Sequence, residues 1–201
     1  MADKKDIARK LFETDCVKFG TFTLKSGIMS PIYINMKALV SFPDVLRLIA
    51  EAYVSLLEPL SFDRMAAIPY GALPIVGAIS MLNHKPWIYT RKEQKDYGMR
   101  QNIEGIFASG ETAVLIDDLV SFGDSKIEMI KPFSEAGLLV RDVVVLIDRC
   151  QGAEEILGQH GLTLHSFLRL DEMLDIYLAE GSLTQTKVSE VKDFLANAKH
   201  P

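Results

Sequence analysis

Between Lys4 and Glu13 the apolar residues Ile7, Ala8, Leu11 and Phe12 fall three and four apart, the spacing of one helical face. Two strand-like stretches follow, Val17 to Leu24 and Pro31 to Met36, and the polar Lys25-Ser26-Gly27 between them predicts a hairpin or small sheet. From Asp44 the pattern alternates: a helix to about Leu57, an apolar strand at Met65 to Ile68, a helix from about Leu73 to Asn83, and a strand at Trp87 to Thr90. Past a charged stretch come the strand Ala113 to Ile116, a helix from Ser125 to Ala136 and the strand Asp142 to Ile147. A helix after Gly152, a short strand at Leu162 to Phe167 and one or two closing helices to Ala198 complete the series. Short apolar runs alternating with helical stretches predict an α/β fold, a mostly parallel sheet flanked by helices on both faces. With no internal repeat or linker-like segment, residues 1–201 read as a single domain, an N-terminal hood of about 1–40 on a core of about 41–201.

Composition narrows the function classes. Hydrophobic residues make up 48% of the 201, ample for a sizeable core. A formal charge of −5, from 22 basic and 27 acidic side chains, argues against nucleic acid or an anionic membrane as the main partner. Any anion must then be held by a local basic device. The N-terminus runs into an amphipathic segment, and no apolar run reaches the roughly 18 residues of a membrane span, so the expected location is cytoplasmic. Cys16 and Cys150 form no metal-binding or redox motif, and the four histidines lack ligand spacing, so no transition metal is implied.

The most informative stretch runs from Ala113 through Asp117, Asp118, Leu119, Val120, Ser121, Phe122, Gly123 and Asp124 to Ser125: a buried strand, two acids, a small-residue turn and a helix. In open α/β sheets ligands sit beyond the carboxyl ends of strands, where the next helix presents free N–H groups and a positive dipole end to a phosphate. Two carboxylates would repel that phosphate unless they address ribose hydroxyls or a hydrated Mg²⁺. A sugar phosphate satisfies both needs. The plainer alternative is that the acids merely end a strand and Ser121 or Asp124 caps a helix.

A second segment, Arg91 to Asn102, holds four basic and two acidic residues, a local +2 in an acidic chain. It lacks apolar periodicity and contains Gly98, which predicts an exposed loop. Many such runs are solvated excursions, but a long loop in a compact α/β domain is often a lid, and basic side chains closing over a leaving group would neutralise its charge.

The strand–acid–loop–helix stretch resembles the signature for phosphoribosyl pyrophosphate (PRPP) in type I phosphoribosyltransferases. Phe122 stands where a small residue or Thr is common, and Asp124 where Gly or Thr is common; Asp124 is expected to turn away from the phosphate and cap the helix. Arg91-Lys92-Glu93-x-Lys95-Asp96-Tyr97-Gly98, followed by Ile103-Glu104-Gly105, resembles the catalytic loop of orotate phosphoribosyltransferases, with Tyr97 where some members have His. The resemblance implies pyrophosphate contacts from Arg91, Lys92 and Lys95, with Lys95 as the main catalytic lysine. It also places Lys25, Tyr33 and Ile34 near the base and PRPP, residues Leu119 to Ser125 around the sugar phosphate, and Arg149 on the orotate carboxylate. The expected activity is transfer of ribose 5-phosphate from PRPP to orotate with Mg²⁺, in a homodimer with shared sites. The competitors are a phosphoribosyltransferase for another base and a PRPP-binding regulator, which would be expected to carry a basic DNA-binding appendage.

Overall fold

The computed structural model describes residues 3–23, 27, 29–91 and 102–197. Helix α1 (Lys4–Glu13) occupies the predicted span, starts where the Asp3 side chain accepts the Lys5 N–H, and buries Ile7, Ala8 and Leu11. Strands β1 (Val17–Thr23) and β2 (Met29–Ile34) pair antiparallel as the predicted hairpin. The second ends at Ile34 rather than Met36, because Met36–Ser41 coils into a 3-10 turn that buries Met36 and Leu39.

Then come α2 (Pro43–Leu57), β3 (Arg64–Ala67), α3 (Ala72–Asn83), β4 (Trp87–Thr90) and β5 (Ile103–Glu104). After them run β6 (Thr112–Val120), α4 (Asp124–Glu135), β7 (Leu139–Asp148), α5 (Ala153–Gln159) and β8 (Thr163–Arg169). Helices α6 (Leu170–Ala179) and α7 (Gln185–Ala196) close the series. The six-stranded sheet has the order β5-β4-β3-β6-β7-β8, and every pairing is parallel except the short edge strand β5 on β4. This edge strand, two residues long, leaves no apolar run for a sequence reading to find. Among the described residues no helix is long and apolar enough to cross a membrane.

Successive residues of the central strands point to opposite faces, and each face has its own core. Val114 and Ile116 of β6, with Val144 and Leu146 of β7, join a cluster filled by α1, α2, α3, α6 and α7. Leu115, Val143 and Val145 face the other way, onto Ile130 and Phe133 of α4 and Leu157 of α5. The hood is fastened to the first cluster by three rings: Phe12 and Phe19 lie 5.4 and 5.7 Å from Tyr177, whose hydroxyl donates to Ala8 C=O at 2.8 Å. Exposed ion pairs at the same seam, Lys4–Glu172 and Arg9–Glu180, add little beside that apolar contact.

One difference from the predicted elements bears on the site. β6 does not stop at Ile116; its ladder with β7 continues through Asp117↔Val145, Leu119↔Ile147 and Val120↔Asp148. The two acids therefore lie inside a central strand, fixed by backbone pairing, instead of on the turn after it.

Candidate active site

The carboxyl ends of β3, β6 and β7 meet at one edge of the sheet. The loop after β3 is tied to β6 by the Ile68 N–H donating to Ile116 C=O at 3.1 Å, and the end of β7 by the Arg149 N–H donating to Val120 C=O at 2.9 Å. Between them stand Asp117 and Asp118.

The two acids have opposite surroundings. Asp117 is buried, and its Oδ2 pairs with Lys126 Nζ from the first turn of α4, itself buried. Its Oδ1 accepts the Asp118 N–H at 2.9 Å, and its backbone C=O accepts the buried Tyr53 hydroxyl at 2.6 Å. Asp118 is half-buried; its Oδ1 accepts the Leu119 N–H at 2.8 Å, while its Oδ2 lies directly over Gly71. A Cβ at Gly71 would come within 2.6 Å of that oxygen, so only glycine leaves room for it. Burial first, then the negative charge of Asp117, pushes the Asp118 carboxyl up to about 7.

The turn into α4 differs from its predicted form. Asp124 is the first residue of the helix, and the cap position belongs to Gly123, whose φ of 106° suits glycine. The expected Asp124 cap is thus corrected: the chain passes close to α5, where a Cβ at Gly123 would meet Leu157 at 3.2 Å, and a left-handed glycine makes that turn. The Lys126 and Ile127 N–H groups donate to the Gly123 C=O at 2.8 and 3.3 Å, and the positive end of the α4 dipole faces the carboxyl ends of the strands, an end suited to an anion. Ser125 is exposed beside it, and Phe122 and Ser121 are half-buried. Val120 packs its side chain into the core, and Leu119 packs partly against the opposite one, so neither presents a polar side chain to a ligand.

Arg149 follows β7. Its Nη1 donates to Ser121 Oγ at 3.3 Å, linking the end of β7 to the turn before α4, while its Nε is buried without a partner among the described residues. Burial pushes the guanidinium down from its usual value, though such a group stays protonated. Two residues on, the Oε1 of Gln151 is also buried and unpartnered. At the other side of the edge, Arg91 pairs with Glu104 across the base of the charged segment. In the hood, Tyr33 is exposed with its ring 5.5 Å from Phe22, and Ile34 packs against the main core. Lys25, Lys92, Lys95 and Tyr97 lie outside the described residues.

The fold gathers the predicted Asp117, Asp118, Ser121, Gly123, Ser125 and Arg149 at one end of the sheet. The sequence did not single out Lys126, Tyr53 or Gln151, which the structure places beside them. Lys126 did carry a signal: it falls four and seven residues before Ile130 and Phe133, on the buried stripe of α4.

A mostly parallel sheet flanked by helices on both faces defines the class, and solved structures share that fold. The chain superposes on Leishmania donovani UMP synthase with a TM-score of 0.89 at 40% identity, covering 96% of this chain and 42% of that one. Orotate phosphoribosyltransferase from Aeropyrum pernix gives a TM-score of 0.75 at 28% identity, covering 84% and 96%. The fold is that of the type I phosphoribosyltransferases. No protein-family model matches the chain. The sequence is 36% identical over 193 residues to an orotate phosphoribosyltransferase of Caenorhabditis elegans, covering 95% of this chain and 85% of the relative. The chain belongs to the orotate phosphoribosyltransferase family. Its length corresponds to about two fifths of the UMP synthase that it matches in structure.

Two predictions rest on this geometry. Gly71 has φ −58° and ψ −43°, ordinary for alanine, so Gly71→Ala strains no backbone, and with only the end of the Asp118 side chain in its way it should change the unfolding free energy by no more than about 1 kcal/mol. The same methyl displaces Asp118, and turnover should fall by about 10²-fold; activity near wild type would show that Asp118 need not hold its place. The second concerns pH. A carboxyl raised from about 3.9 unfolded to about 7 folded stabilises the ligand-free fold fully below about pH 4, and that stability is lost as pH rises to about 7. Urea unfolding across that range should show the decline, flattened by Asp118→Asn; an unaltered slope would assign the titration elsewhere.

Proposed function

We infer that this chain transfers the ribose 5-phosphate of PRPP to orotate, giving orotidine 5′-monophosphate and pyrophosphate on the route to UMP. The observation that carries the reading is the meeting, at one end of the sheet, of a half-buried arginine whose buried Nε has no partner among the described residues, a half-buried carboxylate and the N-terminus of α4. Each suits a different part of the substrates. The helix terminus and the Ser125 hydroxyl suit the 5′-phosphate, Asp118 suits a ribose hydroxyl, and the planar fork of Arg149 suits the carboxylate of orotate.

As the bond from ribose C1 to pyrophosphate breaks, C1 gains positive charge, and orotate N1 attacks from the opposite face. Orotate is already an anion, so positioning and charge neutralisation carry most of the work. Mg²⁺ fits as a cation arriving with PRPP. Of the two acids that would hold it through water, Asp118 is the better placed, because the charge of Asp117 is already matched by Lys126. When bound, Mg²⁺ supplies electrostatic stabilisation of pyrophosphate and ribose oxygens. In this reading Lys92, Lys95 and Tyr97 act with Arg91 on the leaving pyrophosphate, and Lys25 acts with Tyr33 and Ile34 on the base and PRPP. The protein is a cytoplasmic homodimer in which the loop serves the neighbouring site.

Incubation with orotate, PRPP and Mg²⁺ should yield orotidine 5′-monophosphate. PRPP binding with no turnover would point to a regulator, and turnover of a different base to another transferase. Arg149→Met should raise the KM for orotate by about 10–10²-fold, the value of a charged hydrogen bond, with the KM for PRPP little changed. An equal rise in both would remove Arg149 from the base.

Shared sites can be tested by rebuilding one from two broken chains. A heterodimer of Lys95→Ala with Asp118→Asn has one site with both defects and one with neither, if Lys95 acts across the dimer. Mixing and re-equilibrating the inactive homodimers should then recover up to about half the activity per heterodimer, by symmetry. Heterodimers shown by mass spectrometry to be inactive would place the loop in its own subunit.

A further inference from the structure

Lys126 is a buried ammonium that the resemblance assigns no task. It sits on the same face of α4 as Ile130 and Phe133, which pack into the core beneath the sheet. A charge there loses its hydration and persists only with a partner, which Asp117 Oδ2 supplies. Every other polar atom of Asp117 that could turn outward is also engaged. Oδ1 accepts the Asp118 N–H, and the backbone C=O accepts the Tyr53 hydroxyl. The two acids, though joined by a side-chain hydrogen bond, are held differently: Asp117 is turned into the fold onto Lys126, and Asp118 lies over Gly71 at the carboxyl ends of the strands.

We propose that Lys126 is a positioning residue for phosphoribosyl transfer: by binding Asp117 across the gap between β6 and α4, it keeps that carboxylate away from the anionic substrate and leaves Asp118 as the acid offered to ribose. The same bond spans from the strand that carries the ribose-side acid to the first turn of the helix whose N-terminus takes the phosphate, so it also fixes the spacing between the two half-sites. Without the ammonium, Asp117 has only N–H and water partners and stands as an uncompensated negative charge next to where PRPP binds. This inference rests on the PRPP reading but not on the identity of the base.

The test is a substitution cycle, with PRPP affinity measured by calorimetry with Mg²⁺ alongside steady-state kinetics. Lys126→Met keeps the length of the side chain and removes its charge. It should weaken PRPP at least about tenfold, as a like charge beside an anion does, with a smaller change in kcat. Adding Asp117→Asn removes the stranded charge and should return most of the lost PRPP affinity. Asp118→Asn should be severely impaired in both backgrounds, whereas Asp117→Asn alone should be milder.

A purely structural pair would give a different pattern. Melting temperature would fall in Lys126→Met with PRPP affinity unchanged in the folded fraction, and Asp117→Asn would rescue stability alone; that result overturns the proposal. So does an Asp117→Asn variant as impaired as Asp118→Asn, since Asp117 would then face the ligand. Should Lys126→Met fail to fold, the double variant decides: it must bind PRPP within about threefold of wild type, a difference of about 0.7 kcal/mol, and weaker binding overturns the proposal. Because calorimetry needs no base, failure to form orotidine 5′-monophosphate would count against the orotate reading and leave this one standing.

Discussion

Two adjacent carboxylates stand at the carboxyl ends of the central strands, where the proposed anionic substrate would arrive, and the neighbouring side chains are arranged around that repulsion. The Asp117–Lys126 pair removes one charge by neutralising it inside the fold. Breaking such a buried pair from one side costs about 3–5 kcal/mol, so it is a fixed part of the architecture and not an optional contact. The other charge is softened differently: partial burial and the nearness of Asp117 raise the Asp118 carboxyl to about 7, so it is easily protonated until a hydrogen-bond donor or cation arrives. An acid poised in this way repels an approaching phosphate less than an ordinary carboxylate does.

Containment of this kind needs rigid neighbours, which the sheet supplies. β6 lies between β3 and β7 and is paired along both sides, so the acids cannot swing with a loop. From one face α2 sends the Tyr53 hydroxyl to the Asp117 carbonyl; from the other α4 sends Lys126 to its carboxylate. The strand end is thus clamped by both layers of helices. At the β3 side, absence of a side chain is what matters, since Gly71 makes room for Asp118.

How legible this was depends on the kind of signal each part leaves. Helix α1 and strand β4 match their predicted bounds because amphipathic spacing and a short apolar run between polar flanks are local properties. The end of β6 was misplaced because aspartates are depleted in strands, and only long-range pairing with β7 explains two of them within one. The cap at Asp124 was a sound local inference that tertiary packing overrode: closeness to Leu157 places a left-handed glycine at that turn. Lys126 shows the converse. A lysine on an apolar stripe reads as a flaw in the pattern until its partner, nine residues earlier and on another element, is in view.

The proposed base end would follow a different logic from the proposed sugar end. Among the described residues Arg149 Nε and Gln151 Oε1 are buried without partners, one a donor and the other an acceptor, and leaving such groups unsatisfied costs free energy. A ligand that presents a carboxylate to the guanidinium recovers that cost, whereas a base lacking one would occupy the same space and leave the Nε unpaired. Sites that demand a hydrogen bond discriminate far more strongly than sites that merely fit a shape. Selection for orotate over a purine would then come less from attraction to orotate than from the penalty of closing the site around a base that leaves Arg149 unanswered.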